Sequence, residues 1–202
     1  STDDGTGLTV RWFGDAALGS LQSTTNGLTV NYDWGWGAPS GLPANSFSAA
    51  WTGLIEPRYM ETYTFVASSD NGIRVWIDDQ LVIDRWWWSH GHTGTIALEA
   101  NKRYSIRVHY RETGGAANVK LEWRSASQAQ EVLPLSRLYP ETDVDGDGVA
   151  DGWELGQYGS LTDAGGTGDA DGDGLSNEEE FLRLTDFLDA DTDDDGLGDG
   201  NE

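Results

Sequence analysis

Three segments in the last third of the chain repeat one arrangement of oxygen ligands: DVDGDGVADGWE from Asp143, DADGDGLSNEEE from Asp169 and DTDDDGLGDGNE from Asp191. Each has Asp at positions 1, 3 and 5, Gly at 6, Asp or Asn at 9 and Glu at 12. A hard cation such as Ca2+ takes short carboxylates at alternate positions, a backbone carbonyl at 7 and a bidentate Glu at 12. Gly at 6 lets the chain turn sharply so that later ligands fold back onto the ion. The predicted ligands of the first loop are Asp143, Asp145, Asp147, the Val149 carbonyl, Asp151 and Glu154. Those of the second are Asp169, Asp171, Asp173, the Leu175 carbonyl, Asn177 and Glu180. The third uses Asp191, Asp193, Asp195, the Leu197 carbonyl, Asp199 and Glu202. One such run alone reads equally well as a solvated acidic tail; three in register point to about three bound Ca2+ ions.

The second chemical signal is aromatic. Of ten tryptophans, five fall in predicted loops: Trp34, Trp36, Trp86, Trp87 and Trp88. Sugar rings present C–H faces that stack on flat aromatic surfaces while their hydroxyls find polar partners. Three consecutive tryptophans cannot all point inward from a strand, so at least one of Trp86, Trp87 and Trp88 is expected to be exposed or to cover the end of the domain. The alternative is that these rings plug the fold. His90 and His92 are two apart without a third ligand at metal spacing, which favours a polar contact to sugar over zinc. Arg111 and Glu112 are candidate hydroxyl partners, with an ordinary surface ion pair as the preferred reading.

Catalysis finds little support. There is no cysteine, and His90, His92 and His109 have no evident nucleophile beside them. Asp78 and Asp79 are adjacent in a turn, a poor arrangement for two carboxylates that must face each other across a substrate. A non-catalytic binder is expected.

Charge divides the chain. The net charge is −23; residues 143–202 hold 20 acidic residues against Arg183 alone, giving −19 and leaving −4 for the rest. The tail, with few apolar residues, is expected to repel itself and stay loose until cations return the charge and supply folding energy. Acidity of this degree excludes nucleic acid as a partner. Calcium loops suit the millimolar calcium outside cells, and the absence of cysteine suggests a bacterial exported protein or a cytosolic one, since a eukaryotic secreted domain of this type would often carry disulfides. No apolar run is long enough to span a bilayer. The abrupt ends suggest a piece of a longer protein, with neighbouring domains as partners.

The elements that must position these groups are strands. Tyr104, Ile106, Val108 and Tyr110 alternate with Ser105, Arg107 and His109, predicting one apolar and one wet face. Val119, Leu121 and Trp123 repeat the pattern, as do Ile73, Val75 and Ile77; further strands are predicted at 8–13, 28–32, 47–51, 62–67, 81–84 and 94–99. Turns are predicted at Thr25-Asn26-Gly27, Asp70-Asn71-Gly72, Asp78-Asp79 and Gly114-Gly115. The fold class is therefore all-β, an antiparallel barrel or sandwich over residues 1–140, followed at 141–202 by a small calcium-loop tail. Short helices are predicted from Trp153 to Tyr158 and from Glu178 to Leu184. A flexible Gly-rich connector is predicted from Ala164 to Gly168. Trp12, Trp51 and Trp123 lie in strand patterns and are assigned to the core.

The succession Phe47-Ser-Ala-Ala-Trp51-Thr-Gly53, Tyr63-Thr-Phe65, Ser68-Ser-Asp70-Asn71-Gly72, Val75-Trp76-Ile77-Asp78-Asp79, then Tyr104 to Tyr110, Gly114-Gly115-Ala116 and Leu121-Glu-Trp123, resembles the domain first noted in anthrax protective antigen. It covers roughly 7–140. That resemblance implies a β-barrel found in bacterial glycosidases, adhesins and yeast flocculins, many of whose members bind carbohydrate, some through calcium held by an Asp-Asp pair. Here the matching positions are Asp70 and Asn71, where an amide carbonyl replaces one carboxylate; the same residues also suit a plain turn. Residues 143–202 are similar to thrombospondin type 3 repeats, used by bacteria as calcium-stiffened linkers in surface proteins. Together these imply a module binding a polysaccharide or other glycan, outside the cell or on its surface. The other reading is a structural or protein-interaction spacer without a sugar site.

Overall fold

Period-two alternation decides the architecture, because each strand it predicts can bury one face only by packing on another sheet. The computed structural model of the protein describes residues 5–87, 91–157 and 165–201. Its strands are β1 (Leu8–Phe13), β2 (Leu21–Leu28), β3 (Asn31–Gly35), β4 (Phe47–Ile55), β5 (Glu61–Asp70), β6 (Gly72–Ile77), β7 (Gln80–Arg85), β8 (His92–Leu98), β9 (Tyr104–Glu112), β10 (Ala117–Arg124), β11 (Glu131–Val132) and β12 (Leu138–Tyr139). The larger sheet runs β2-β1-β4-β9-β6-β7, with β12 also on β4; the smaller runs β11-β10-β5-β8, with β3 also on β10. All the pairings are antiparallel.

The core lies between the sheets. Trp51, Val75 and Val108 of the larger sheet and Phe65, Leu121 and Trp123 of the smaller are fully buried. Tyr63 and Trp123 pack ring on ring at 5.0 Å, and Trp12 meets Trp51 edge-on at 5.6 Å. Burying each such ring contributes on the order of 2–3 kcal/mol. At Asp78-Asp79 both residues have positive φ, 52° and 58°, the conformation that a two-residue hairpin between β6 and β7 requires.

Expectations for β2 and β9 change, and the strand predicted at 28–32 becomes β3 at Asn31–Gly35. Thr25-Asn26-Gly27 does not turn the chain: it lies within β2, where a register shift against β1 absorbs Gly27 at φ 83°. The outward face of β9 is not wet either. His109 is 4% exposed, with the Trp76 ring 4.8 Å away and Trp86 at 6.4 Å, because neighbouring strands supply indole rings large enough to cover it.

The chain divides into two compact units, Ser1–Pro140 and Glu141–Glu202. The second holds helices α1 (Asp151–Gln157) and α2 (Asn177–Arg183). Ser176 caps α2 with a reciprocal Ser–Glu179 capping box. Contrary to the expectation of a tail with little to bury, this unit has its own apolar cluster. Val149, Leu175, Phe181, Leu182 and Phe187 are buried, and Trp153 packs on Phe181 at 5.5 Å and Phe187 at 4.8 Å. The described glycines of the expected connector are tied down: Gly166 donates to Asp147 Oδ2 at 2.6 Å, and Gly168 donates to the Gly165 carbonyl. Ala164 lies outside the described residues. Among those described, no helix is long and apolar enough to cross a membrane.

Candidate functional sites: a loop-built end of the sandwich and three acidic loops

Strand register brings four loops to one end of the sandwich. Phe47 pairs with Glu112 and Gly72 with Arg111, Ile73 pairs with Arg85, and Asp33 and Asp70 flank Asn118 from opposite sides. The ends of β3, β7 and β9 and the starts of β4 and β10, with the corner at Asp70-Asn71, therefore lie at the same level. Asp70-Asn71 is not a hairpin turn: it carries the chain from β5 in the smaller sheet to β6 in the larger, through a cis peptide bond.

The Asn71 amide is oriented by its surroundings. Its Oδ1 accepts from the Thr113 backbone N–H at 2.7 Å and from Thr113 Oγ1 at 2.9 Å, and its Nδ2 donates to Asp70 Oδ1 at 2.9 Å. Thr113 thus takes the carbonyl oxygen that the resemblance offered as a cation ligand, leaving Asp70 as the carboxylate at this corner. A second carboxylate sits close by. Glu112 is fully buried; it accepts from Tyr110 Oη at 3.3 Å and from the Gly114 N–H. Burial pushes the Glu112 carboxyl up, and the charge on Asp70 raises it further. The single Tyr110 hydroxyl hydrogen is shared between Glu112 and the nearer Asp70 carbonyl, and burial together with Glu112 pushes the phenol well above the usual range.

Arg111 and Glu112 do not form the expected surface ion pair, since successive strand residues face opposite sides. Glu112 turns inward. Arg111 turns outward and lays its guanidinium 4.3 Å from the Trp87 ring and 5.3 Å from Trp86, with Arg74 5.4 Å from Trp86 on the same face.

The five predicted loop tryptophans separate. Trp36 and Trp87 are 82% and 73% exposed. Trp86 is half-buried among Arg74, Arg111 and His109. Trp34 belongs to strand β3 and is packing: it stacks on Tyr32 at 5.0 Å and meets Phe47 and Trp12 edge-on. His92 begins β8, where its Nδ1 accepts from Arg85 Nε at 3.2 Å. Trp88 and His90 lie outside the described residues.

In the second unit, three Asp triads each bring a ligand oxygen within 4.8 Å of one another: Asp143, Asp145 and Asp147; Asp169, Asp171 and Asp173; and Asp191, Asp193 and Asp195. The loops share a local bond, with the position-5 carboxylate accepting from the position-7 N–H: Asp147 from Val149, Asp173 from Leu175 and Asp195 from Leu197. Position 9 differs. Asp151 accepts from the Val144 N–H and Asp199 from Thr192, closing their loops. Asn177 donates to the Gly165 carbonyl, leaving its buried Oδ1 without a partner.

The closing glutamates carry the electrostatic signature. Glu154 and Glu180 are fully buried, with both oxygens of Glu154 and Oε2 of Glu180 lacking any donor. Burial, then Asp147, Asp145, Asp151 and Asp143, raise the Glu154 carboxyl to about 7. Burial, then Asp171, Asp173 and Asp199, raise Glu180 to about 8. A buried carboxylate aimed at other carboxylates is stable only with a proton or a cation between them, so this donor set fits Ca2+. Glu202 of the third loop lies outside the described residues.

Sequence reasoning passed over Asn45, whose Oδ1 accepts from Gly115 N–H at 3.4 Å at the loop end, and Thr113. It undervalued Glu112, whose inward face was readable from the alternation of Tyr104, Ile106, Val108 and Tyr110.

Residues 4–137 match the sequence model of the PA14 domain. The chain is 39% identical over 139 residues to the anti-sigma-I factor RsgI3 of Acetivibrio thermocellus, covering 67% of this chain and 22% of that protein. It is 32% identical over 94 residues to the protective antigen of Bacillus anthracis, covering 45% of this chain and 12% of the antigen. It therefore spans less than a quarter of the length of either curated relative. Among solved structures, the PA14 sugar-binding domain from an RTX adhesin superposes with a TM-score of 0.55 at 20% identity, covering 67% of this chain and 98% of that one; at that identity the likeness is one of fold.

Proposed function

The chain belongs to the PA14 domain family over residues 4–137, and from that premise we propose that its first unit is a non-catalytic carbohydrate-binding module. The second unit is a calcium-stabilised spacer of the thrombospondin type 3 kind, within a larger exported bacterial protein that degrades glycans or adheres to them. One observation carries the sugar reading: a single end of the sandwich combines two largely exposed indole rings, Trp36 and Trp87, with the Asp70 carboxylate. Rings supply stacking surfaces and carboxylates accept from sugar hydroxyls or hold a cation that binds them. The PA14 domain of the RTX adhesin, a sugar-binding domain, agrees in kind. The buried, donor-free oxygens of Glu154 and Glu180 support calcium in the tail, with Asp143, Asp145, Asp147, Asp169, Asp171 and Asp173 as its partners. On binding, the ions would offset the repulsion among these carboxylates.

A glycan array on the calcium-loaded chain, repeated in chelator, tests this. Retention of a defined glycan in calcium is the expected result. Loss in chelator would assign an ion to Asp70 or make the tail necessary to the site; survival would leave stacking on Trp36 and Trp87 as the main force. Binding to no glycan would leave a spacer that positions neighbouring domains.

A further inference from the structure

The sugar-binding reading leaves open which class of glycan fits, and the outward face beside the loop end bears on that question. Arg111 leaves β9 next to the Asp70-Asn71 corner, its carbonyl accepting from the Asn71 N–H at 3.3 Å. Its guanidinium rests against Trp87 and Trp86. Arg74 approaches Trp86 from β6 and is paired with Asp84 at 3.0 Å. Among the described residues no carboxylate pairs with Arg111. Two cations are thus held on one indole pair, with one local carboxylate already bound to Arg74.

Burial lowers the Arg111 pKa and the neighbouring Arg74 charge lowers it further, so the surroundings disfavour the charge that Arg111 must carry. An anion beside it would offset both effects. A guanidinium presents a planar fork that matches a carboxylate or sulfate with two parallel hydrogen bonds. Trp87 provides the other half of the recognition: a ring 73% exposed, with the guanidinium 4.3 Å from its centroid. A pyranose lying on that indole would carry an acidic substituent within the reach of Arg111. We infer that the glycan taken at this end is an acidic polysaccharide, stacked on Trp87 with its carboxylate or sulfate held by Arg111. This rests on the sugar-binding reading and narrows it.

The test is calorimetric titration of the full chain, in calcium, with matched oligosaccharides. The probes are a neutral β-1,4-glucan oligomer, its C6-carboxylated and C6-sulfated forms, and an oligogalacturonate beside a neutral galacto-oligosaccharide. Polyglutamate serves as a non-sugar polyanion. An acidic member should bind at least about tenfold more tightly than its neutral partner, the scale of one hydrogen-bonded ion pair. That margin should shrink as salt is raised. Arg111→Gln should erase the margin, and Arg111→Lys should restore part of it, with thermal melts confirming that both variants fold. Which acidic series binds tells carboxylate from sulfate. Equal binding of acidic and neutral members, or a margin that survives Arg111→Gln, overturns the inference and leaves the sugar site standing. Polyglutamate binding as tightly as the acidic glycans overturns it in favour of an acidic polypeptide. Binding to none of the probes, together with an empty glycan array, removes the sugar reading and this inference with it.

Discussion

Thr113 donates two hydrogen bonds to Oδ1 of Asn71, from its backbone N–H at 2.7 Å and from its hydroxyl at 2.9 Å. The amide nitrogen is thereby turned toward Asp70 Oδ1. This fixes the chemistry of the corner, because an Asn held in this way presents a donor, not a second acceptor, beside the Asp70 carboxylate.

Asn71→Asp is therefore expected to raise calcium affinity at the corner. One carboxylate oxygen would keep the Thr113 bonds, and the other would replace the amide nitrogen beside Asp70, creating a carboxylate pair that a bound cation stabilises. Calcium titration followed by glycan retention checks this. The variant should bind glycan with a steeper calcium dependence than the parent, and Asp70→Ala should abolish that dependence.

The tryptophans should sort by location. Trp36→Ala and Trp87→Ala remove exposed rings, so each should leave the melting temperature nearly unchanged and weaken glycan binding about tenfold or more. Trp51→Ala empties a fully buried position and should cost about 3–5 kcal/mol in denaturant unfolding. Trp34→Ala, which breaks the stack on Tyr32, should fall on the stability side of this division.

Most of the sandwich was legible because its signal is local. Alternation along 104–110, 119–123 and 73–77 requires only that one face be dry, and β9, β10 and β6 follow. The loop end was less legible, since proximity there is set by register between strands far apart in sequence: Phe47 against Glu112, Ile73 against Arg85. No spacing rule brings Asn71 to Thr113 or Arg111 to Trp87. The acidic loops show the same division. Their repeated position-5 to position-7 bond is encoded within each repeat, whereas the packing of Trp153 on Phe187 depends on how helices and loops close around one another. Phe181 and Phe187 are too few and too scattered to announce a core by periodicity.

Chelation should separate the two units. The sandwich has its own buried core, while the tail contains buried glutamates whose charge is opposed by neighbouring aspartates unless a proton or a cation lies between them. Hydrogen exchange in chelator should accelerate across residues 165–201 and leave β4 and β9 protected. A simultaneous loss of protection in both units would contradict this division.

The ion-free tail should lose stability as pH rises. Glu154 and Glu180 have folded pKa values of about 7 and about 8, above the ordinary carboxylate value in an unfolded chain. Between roughly pH 4.5 and those values the folded unit binds more protons than the unfolded chain. Its stability contribution from these groups is therefore complete at low pH and lost as pH climbs through the folded values. In chelator, exchange protection around α2 should be greater at pH 5.5 than at pH 8 after correction for the intrinsic rate.

Substituting the same glutamates should have opposite effects with and without calcium. Glu180→Gln removes a buried charge that faces Asp171, Asp173 and Asp199, so the ion-free unit should become more stable at pH 8. It also removes an anionic ligand from the second loop, so calcium affinity there should fall about tenfold or more. Glu154→Gln should behave in the same way at the first loop. Calorimetric calcium titrations and chelator melts of each variant measure the two effects separately. If both glutamates served only to fill space, the amide would be nearly neutral in both states. A gain in chelator coupled to a loss in calcium is the pattern expected of a cation ligand, because the repulsion that destabilises the empty loop is what attracts the ion.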